Sequence, residues 1–395
     1  MISKKILFRK ILALGLVAAM SVGAASLTAC SKKAAATETA ATVAPTTSAT
    51  AAATTAAETT AGITAETADP SNPNAINPLT GIQDMDPANV GKRSVSVSIN
   101  NHPEALPSRG ISSADVIYEF ETEGGQTRML ALFADVAKMP EVGSLRSARI
   151  IACDLSGGTN SIFIHYGENG RVPEFLTSNH LDDIDGNIYS KGSDQSVDGV
   201  IKLSKGIYFW RDAVWLKSRA LEHTAVTNGA NVLRGITDLG IEINGETPSL
   251  FAFTTKSTPD LANGKSCTKM VVYFSTNNDD STFTYDSATK MYLKSEYGDP
   301  QIDETTGQQI AVKNVFTLFA NIQPHGDTTI DAYLTEGGVG YYVSEGKIID
   351  IKWTKAGPND QILVTDMNGK TIQVNAGKSY INVVRKTVAD KTTWS

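Results

Sequence analysis

From Ser31 to Ile76 the chain is built almost wholly of Ala, Thr, Ser, Glu and Pro, with almost no large apolar residue. Such a stretch buries too little surface to offset the entropy of ordering its backbone, so a disordered tether is expected over residues 30–76. Forty-odd residues of coil reach roughly 35 Å root-mean-square and about 140 Å when stretched. Whatever folds must fold from the roughly 315 residues that follow, more than one typical domain requires.

The segment before the tether gives a reason for it. Residues 1–29 carry Lys4, Lys5, Arg9 and Lys10, an apolar run from Ile11 to Ala25, and Leu27-Thr28-Ala29 ahead of Cys30. These are the charged, apolar and small-residue regions of a secretory signal peptide. A cysteine directly after the small residues makes the pattern a lipobox, in which the Cys30 thiol takes a diglyceride, palmitate-type anchor and becomes the new N-terminus. An uncleaved transmembrane helix or an ordinary signal with an incidental cysteine are the competing readings. The apolar run is short for a span of about 20 residues, whereas two or three acyl chains at ~0.8 kcal/mol per buried CH2 anchor a protein without one. The expected location is the extracytoplasmic face of the cell membrane, with the membrane itself as a partner through Cys30.

Loss of the four basic residues in 1–29 moves the formal charge from -7 to -11. An acidic chain argues against nucleic acid as a partner. Besides Cys30 there are Cys153 and Cys267, which either pair in an oxidising compartment or, more simply, stay as isolated buried thiols. No Cys and His spacing resembles a zinc site and the chain has five histidines, so neither a metal nor a cofactor is expected. Serine elbow, zinc-protease helix, phosphate loop and dinucleotide fingerprint are all missing from the sequence.

Periodicity divides the remainder. Alternation of Val95, Val97 and Ile99 with serines predicts a half-buried strand over 94–100. Asp115 to Glu123, a Gly124-Gly125 turn and Arg128 to Asp135 predict a hairpin. Helices are expected over Leu145 to Leu155 with Ser144 as N-cap, Val172 to Ser178, Arg211 to Leu221 and Asn228 to Leu239, with a strand over Ser161 to Tyr166. From Leu250 the pattern turns to short alternating strands, and Gly337-Gly338-Val339-Gly340 reads as a turn. The fold class expected is α+β: a mixed α/β domain over 77–243, then a β-rich domain over 244–395, with the boundary near Ile241 to Pro248.

Several strings, in this order, resemble one family. They are Asn77-Pro78-Leu79-Thr80-Gly81, Ile99-Asn100-Asn101-His102-Pro103, Ala114 to Glu119, Glu123 to Arg128, and Leu145-Arg146-Ser147-Ala148-Arg149. Tyr297-Gly298-Asp299-Pro300, Thr306-Gly307-Gln308 and Lys313-Asn314-Val315 extend the likeness to the second half. Together they are similar to the YerB-like lipoproteins, the family of domain of unknown function 3048. The resemblance implies a two-part architecture and an envelope location, and no reaction. Where family members commonly show Pro-His-Asn, this chain has Glu222-His223-Thr224.

Chemistry rests first on carboxylates. On a strand, Glu119, Glu121 and Glu123 leave one face about 7 Å apart. Like charges at that spacing favour one carboxyl keeping its proton, as a general acid does, with Arg128 holding another ionised. Glu119 and Glu123 are the candidate acid/base residues for glycosidic cleavage, while a solvated charged strand face is the plainer alternative. Arg146 and Arg149, three apart near an expected helix N-terminus, suit an anion such as a muramic lactyl or peptide carboxylate, or else bind the protein's own acids. His102 in a loop, His165 at a strand end and His223 capping a helix complete the ligand-binding candidates. Two functions stay open: an envelope lipoprotein that binds or cleaves peptidoglycan glycan in the manner of a transglycosylase or hydrolase, or a non-catalytic lipoprotein that binds an envelope protein or assists wall assembly. Whether the chain is an enzyme is left undecided.

Overall fold

A computed structural model describes residues 69, 71–190, 207–275 and 280–395. Cys30 and the expected signal peptide lie outside these residues, as does most of the expected tether. Order begins before Asn77: the Gln83 side-chain amide donates to the carbonyls of Asp69, Asn72 and Asn74, and Ala75 bridges to Met85. Hydrogen bonds from the Gln83 side chain and the Ala75–Met85 bridge, with Ala75 packed at the edge of an apolar cluster, organise residues 71–76.

Among the described residues, eleven strands form one mixed sheet. In chain order they are β1 (Val95–Asn100), β2 (Val116–Glu121), β3 (Thr127–Phe133), β4 (Ile162–His165), β5 (Asp183–Asp185), β6 (Lys265–Ser266), β7 (Asn314–Ala320), β8 (Gly338–Ser344), β9 (Lys347–Thr354), β10 (Leu363–Thr365) and β11 (Ser379–Arg385). Their spatial order is β6-β9-β8-β7-β11-β2-β3-β1-β4-β5, with β10 on β9. The α-helices among the described residues are α1 (Ile150–Gly157), α2 (Val172–Ser178) and α3 (Gly229–Leu239). The α+β class is as the sequence led one to expect, yet the two halves of the chain are interlocked. β2 of the first half pairs in parallel with β11 of the second, from Val116 opposite Ser379 to Phe120 opposite Val383.

Each face of this sheet has its own core. Alternate residues of β3 show it: Met129, Ala131 and Phe133 enter one apolar cluster, Leu130 and Leu132 the other. α1 and α2 contribute Ile151, Leu155, Val172 and Leu176 to the second cluster. A second antiparallel sheet, whose main strands are Lys269–Val272, Ser281–Asp286 and Met291–Glu296, sends Met270, Val272, Phe283 and Tyr292 to the first.

Double coverage explains where local pattern misled. β1 is buried along its whole length, not half-buried. Its serines face a helix rather than water: Ser96 Oγ donates to Ser156 Oγ of α1 at 2.7 Å, and Ser94 and Ser161 hydroxyls lie 2.7 Å apart. The glycine-rich stretch at 337–340 leads into strand β8 rather than a free turn. A Cβ at Gly340 would collide with the Thr317 carbonyl oxygen of β7, so glycine there allows close strand approach.

The helix expected over 145–155 begins only at Ile150. Residues before it spend their amides on neighbours, Leu145 N–H on Ala225 O and Arg146 N–H on Ser98 O. Tertiary pairing has overridden helical spacing. Arg211 to Leu221 is likewise no helix but strand Trp210–Arg211 and the 3-10 turn Trp215–Lys217. Val172–Ser178 is as expected, and α3 has Asn228 as N-cap, its side chain accepting from Asn231 N–H, and Gly240 in the left-handed conformation at its end. No helix of the described residues is long and apolar enough to cross a membrane.

Candidate functional site

The row of acids is the first correction. Glu119 and Glu121 share the β2 face that period-two counting assigns them, but the second sheet covers that face. Glu119 is fully buried. Its Oε1 accepts from Asn101 Nδ2 (3.1 Å) and Thr127 Oγ1 (2.8 Å), and its Oε2 from Ser281 Oγ (2.6 Å) and the Tyr380 hydroxyl (2.7 Å). Lys294 Nζ stands 3.9 Å away and is bonded to Glu296. A carboxyl bonded to four protein groups and sealed from water is a structural group, and a sugar has no route to it.

Like-charge coupling does occur, with a different partner. Burial first, then the Glu119 charge, push the Glu296 carboxyl up to about 8 despite Lys294. Two carboxyls and one ammonium in a dry interior therefore balance only if Glu296 keeps its proton at neutral pH.

Glu123 also fails as an open acid/base. It sits past the end of β2 in the turn Glu123–Gly125, where Arg149 grips it through Nε (2.7 Å, to Oε2) and Nη2, and Arg128 Nη2 approaches at 3.4 Å. Glu121 is held by Arg385, whose Nη2 lies 3.0 Å from both carboxylate oxygens. Arg149 thus binds the protein's own acid, and it diverges from Arg146 because residues 145–149 are extended rather than helical. Arg128 Nη1 donates to Ser147 O at 2.6 Å; burial, then the Arg146 charge, lower its pKa.

Arg146 differs from the other arginines of the motif strings. It is half-buried, and among the described residues its guanidinium makes no hydrogen bond or ion pair. Around it the structure gathers His102, His223, Arg211 and Glu222, each close enough to figure in the electrostatics of the group. The imidazoles of His102 and His223 stack with centroids 5.1 Å apart. Their protons are assigned by the neighbours. Asn100 Oδ1 accepts from the His102 backbone N–H at 3.0 Å, so its Nδ2 must donate to His223 Nδ1 at 2.7 Å. The Glu104 N–H donates to His102 Nδ1 at 3.2 Å. Both Nδ1 atoms accept, so in the neutral rings both Nε2 atoms carry hydrogen. Burial, then Arg146, lower the His223 pKa and favour that neutral ring.

His102, Glu104 and His223 offer donor atoms within 4.8 Å of one another, a spacing that suits a cation. The hydrogen bonds oppose it. A metal at Nε2 would drive each proton to Nδ1, against an amide N–H that already points there. Two Nε2–H donors beside a guanidinium unpaired among the described residues favour an anion instead, with the exposed Glu104 carboxylate 3.8 Å from His223 Nε2 as the internal group it would displace. His223 itself lies in the 3-10 turn Leu221–His223 and caps no α-helix.

His165 has no nitrogen to offer a ligand. It is fully buried, with Nδ1 2.9 Å from Gly167 O and Nε2 3.0 Å from Asp183 Oδ2. Burial works against its charged form, but Asp183 and Asp185 outweigh burial and raise its pKa. Cys153 and Cys267 are both free and buried, and burial pushes the Cys267 thiol up to about 12.

Sequence reasoning passed over Asn100, Asn101, Lys294, Glu296 and Tyr380. Asn100 and Asn101 stood inside a quoted motif, and an Asn pair at a strand end is a signal for side-chain pinning of neighbouring groups. Lys294 and Glu296 share a strand face with the aromatic Tyr292, the one hint that this face is inward.

Comparison with known proteins gives the chain its relatives. A profile described as "Protein of unknown function (DUF3048) N-terminal domain" matches residues 79–242, and the corresponding C-terminal domain profile matches 270–381. "Putative lipoprotein YerB" of Bacillus subtilis (strain 168) is 32% identical over 313 residues, which are 78% of this chain and 85% of that protein. The crystal structure of YerB protein from Bacillus subtilis superposes with a TM-score of 0.68 at 28% identity, covering 81% of this chain and 99% of the other. The chain therefore belongs to the YerB-like family of lipoproteins, with both of its DUF3048 domains present.

Proposed function

We propose that the protein is an exported lipoprotein, anchored through Cys30, that binds an anionic group of the cell envelope without cleaving it. The ligand chemistry is a carboxylate, as on the muramic lactyl group or a stem peptide of peptidoglycan. The observation that carries this reading is Arg146: a half-buried guanidinium that makes no hydrogen bond or ion pair among the described residues, beside two imidazoles that present Nε2–H in their neutral form. Partial burial strengthens its attraction for an anion over that of a surface arginine. The pairing of Glu119 and Glu123 with internal donors takes away the two acids singled out for glycosidic cleavage, which favours binding over cleavage.

The mature chain in detergent, mixed with purified wall sacculi, is expected to co-sediment with them and release no muropeptides. Arg146→Ala should lower the sedimented fraction about tenfold, the worth of one charge-assisted hydrogen bond. Added zinc should neither raise Tm nor compete. Failure of the wild-type chain to sediment refutes the reading, and muropeptide release returns the enzymatic one.

A further inference from the structure

Strand β9 is paired with β8 along nearly its whole length, from Lys347 opposite Ser344 to Trp353 opposite Gly338. Its outer edge is covered by strands only towards the two ends, by β6 at Lys347 and Ile348 and by β10 from Lys352 to Thr354. Ile349, Asp350 and Ile351 have no strand on that side. A cavity of about 320 Å3 occupies the break, with Gly264, Ile349, Asp350, Met367 and Trp394 in its walls.

Hairpin geometry aims the backbone. Glu345 and Gly346 both have positive φ, 51° and 76°, so their two-residue loop closes on a pair that exchanges both hydrogen bonds, here Ser344 and Lys347. Alternation then gives Ile349 and Ile351 to β8 and turns the N–H and C=O of Asp350 into the break. Neither group has a protein partner among the described residues.

The walls set what fits. Asp350 lies directly opposite Tyr341, on the same face of the sheet, and Trp394 packs on Tyr341 with ring centroids 4.7 Å apart. Asp350 is exposed, and among the described residues its carboxylate makes no hydrogen bond or ion pair. Asp260 and Asp366 add negative charge to the lining, with Lys265 opposing it, while the Lys352 ammonium is turned to the Met367 carbonyl at 2.9 Å. A carboxylate beside two aromatic rings suits an ammonium on an aliphatic stem. The break is about 10 Å long and is bounded by β6 and β10 on the same edge, so it admits a few residues of extended chain and no long strand.

We propose that this break docks a short extended peptide bearing a lysine-type amine, its backbone bonded to the Asp350 N–H and C=O and its ammonium on the Asp350 carboxylate beside Tyr341 and Trp394. The inference uses residues other than Arg146, so either reading stands or falls without the other.

Saturation-transfer NMR of the mature chain with acetyl-Ala-Lys-Ala-amide, whose ends carry no charge, tests it. Lysine side-chain signals are expected from the wild type and equally from Arg146→Ala. Acetyl-Ala-Glu-Ala-amide should bind at least tenfold more weakly, and Asp350→Asn should weaken the lysine peptide about tenfold. Asp350→Pro, which also removes the outward N–H at a place where an edge strand tolerates proline, should abolish the signal. Thermal unfolding shows that each variant folds, and if Asp350→Pro does not, Met367→Trp at the exposed rim fills the break in its place. No signal from the wild type, equal binding of the glutamate peptide, or undiminished signal from Asp350→Pro or Met367→Trp overturns the proposal. A dimer in sedimentation velocity that Asp350→Asn dissolves overturns it too, by placing a second copy of the chain in the break.

Discussion

Two polar clusters meet at residues 100–103 and differ in one respect. Around Glu119 the charge is closed: donors from both halves of the chain surround it, and the Glu296 proton balances Lys294. Around Arg146 the charge is open, with donors assembled and no acceptor bonded among the described residues. Adjacent asparagines serve the two, Asn101 the closed cluster and Asn100 the open one. The difference teaches that buried charge acts as a fastener where its counter-groups are internal, and marks a binding site where they are not.

Breaking the closed cluster should have the largest effect. Glu119→Ala leaves Lys294, Tyr380, Asn101 and Thr127 facing an uncompensated interior, and is expected to cost roughly 3–5 kcal/mol in denaturant unfolding. Next comes pH. The folded-state pKa of Glu296, about 8, lies above its ordinary 4.5, so the folded chain holds a proton that the unfolded chain releases between those values. Its contribution is full below about 4.5 and is lost as pH rises through about 8. Stability should fall across that window by on the order of 2 kcal/mol, and Glu296→Gln should flatten the slope.

The open cluster predicts smaller changes in stability. Arg146→Ala, which breaks no bond among the described residues, should shift unfolding by less than about 1 kcal/mol while weakening anion binding. A wild-type-like denaturation curve with normal sedimentation would remove Arg146 from the site. Glu222→Ala sharpens the contrast most gently. Exposed Glu222 shares the field of His223, Arg146 and Arg211, so its removal should leave Tm unchanged and tighten sedimentation with sacculi by about two- to threefold at low salt.

Legibility in sequence followed how local the cause was. The boundaries of α2, and those of α3 to within one residue at Asn228, could be read because spacing and end signals lie within one turn of chain. The alternation that places Glu119 and Glu121 on one face was also readable. What lies over that face was not, because its cover comes from Ser281 and Lys294, more than 150 residues away in the chain. The candidate pair Arg146 and Arg149 was split for the same reason: their shared face required a helix, and the carbonyls of Ser98 and Ala225 claimed the backbone first.

By itself the sequence settled the family, the α+β alternation of elements and the residue types available for chemistry, since these depend on order and short-range periodicity. Only the tertiary structure decided which charges were consumed. It set Glu119 beneath a second sheet, paired Glu123 with Arg149 and left Arg146 without an acceptor among the described residues, because an ion's environment depends on what packs against it from distant parts of the chain.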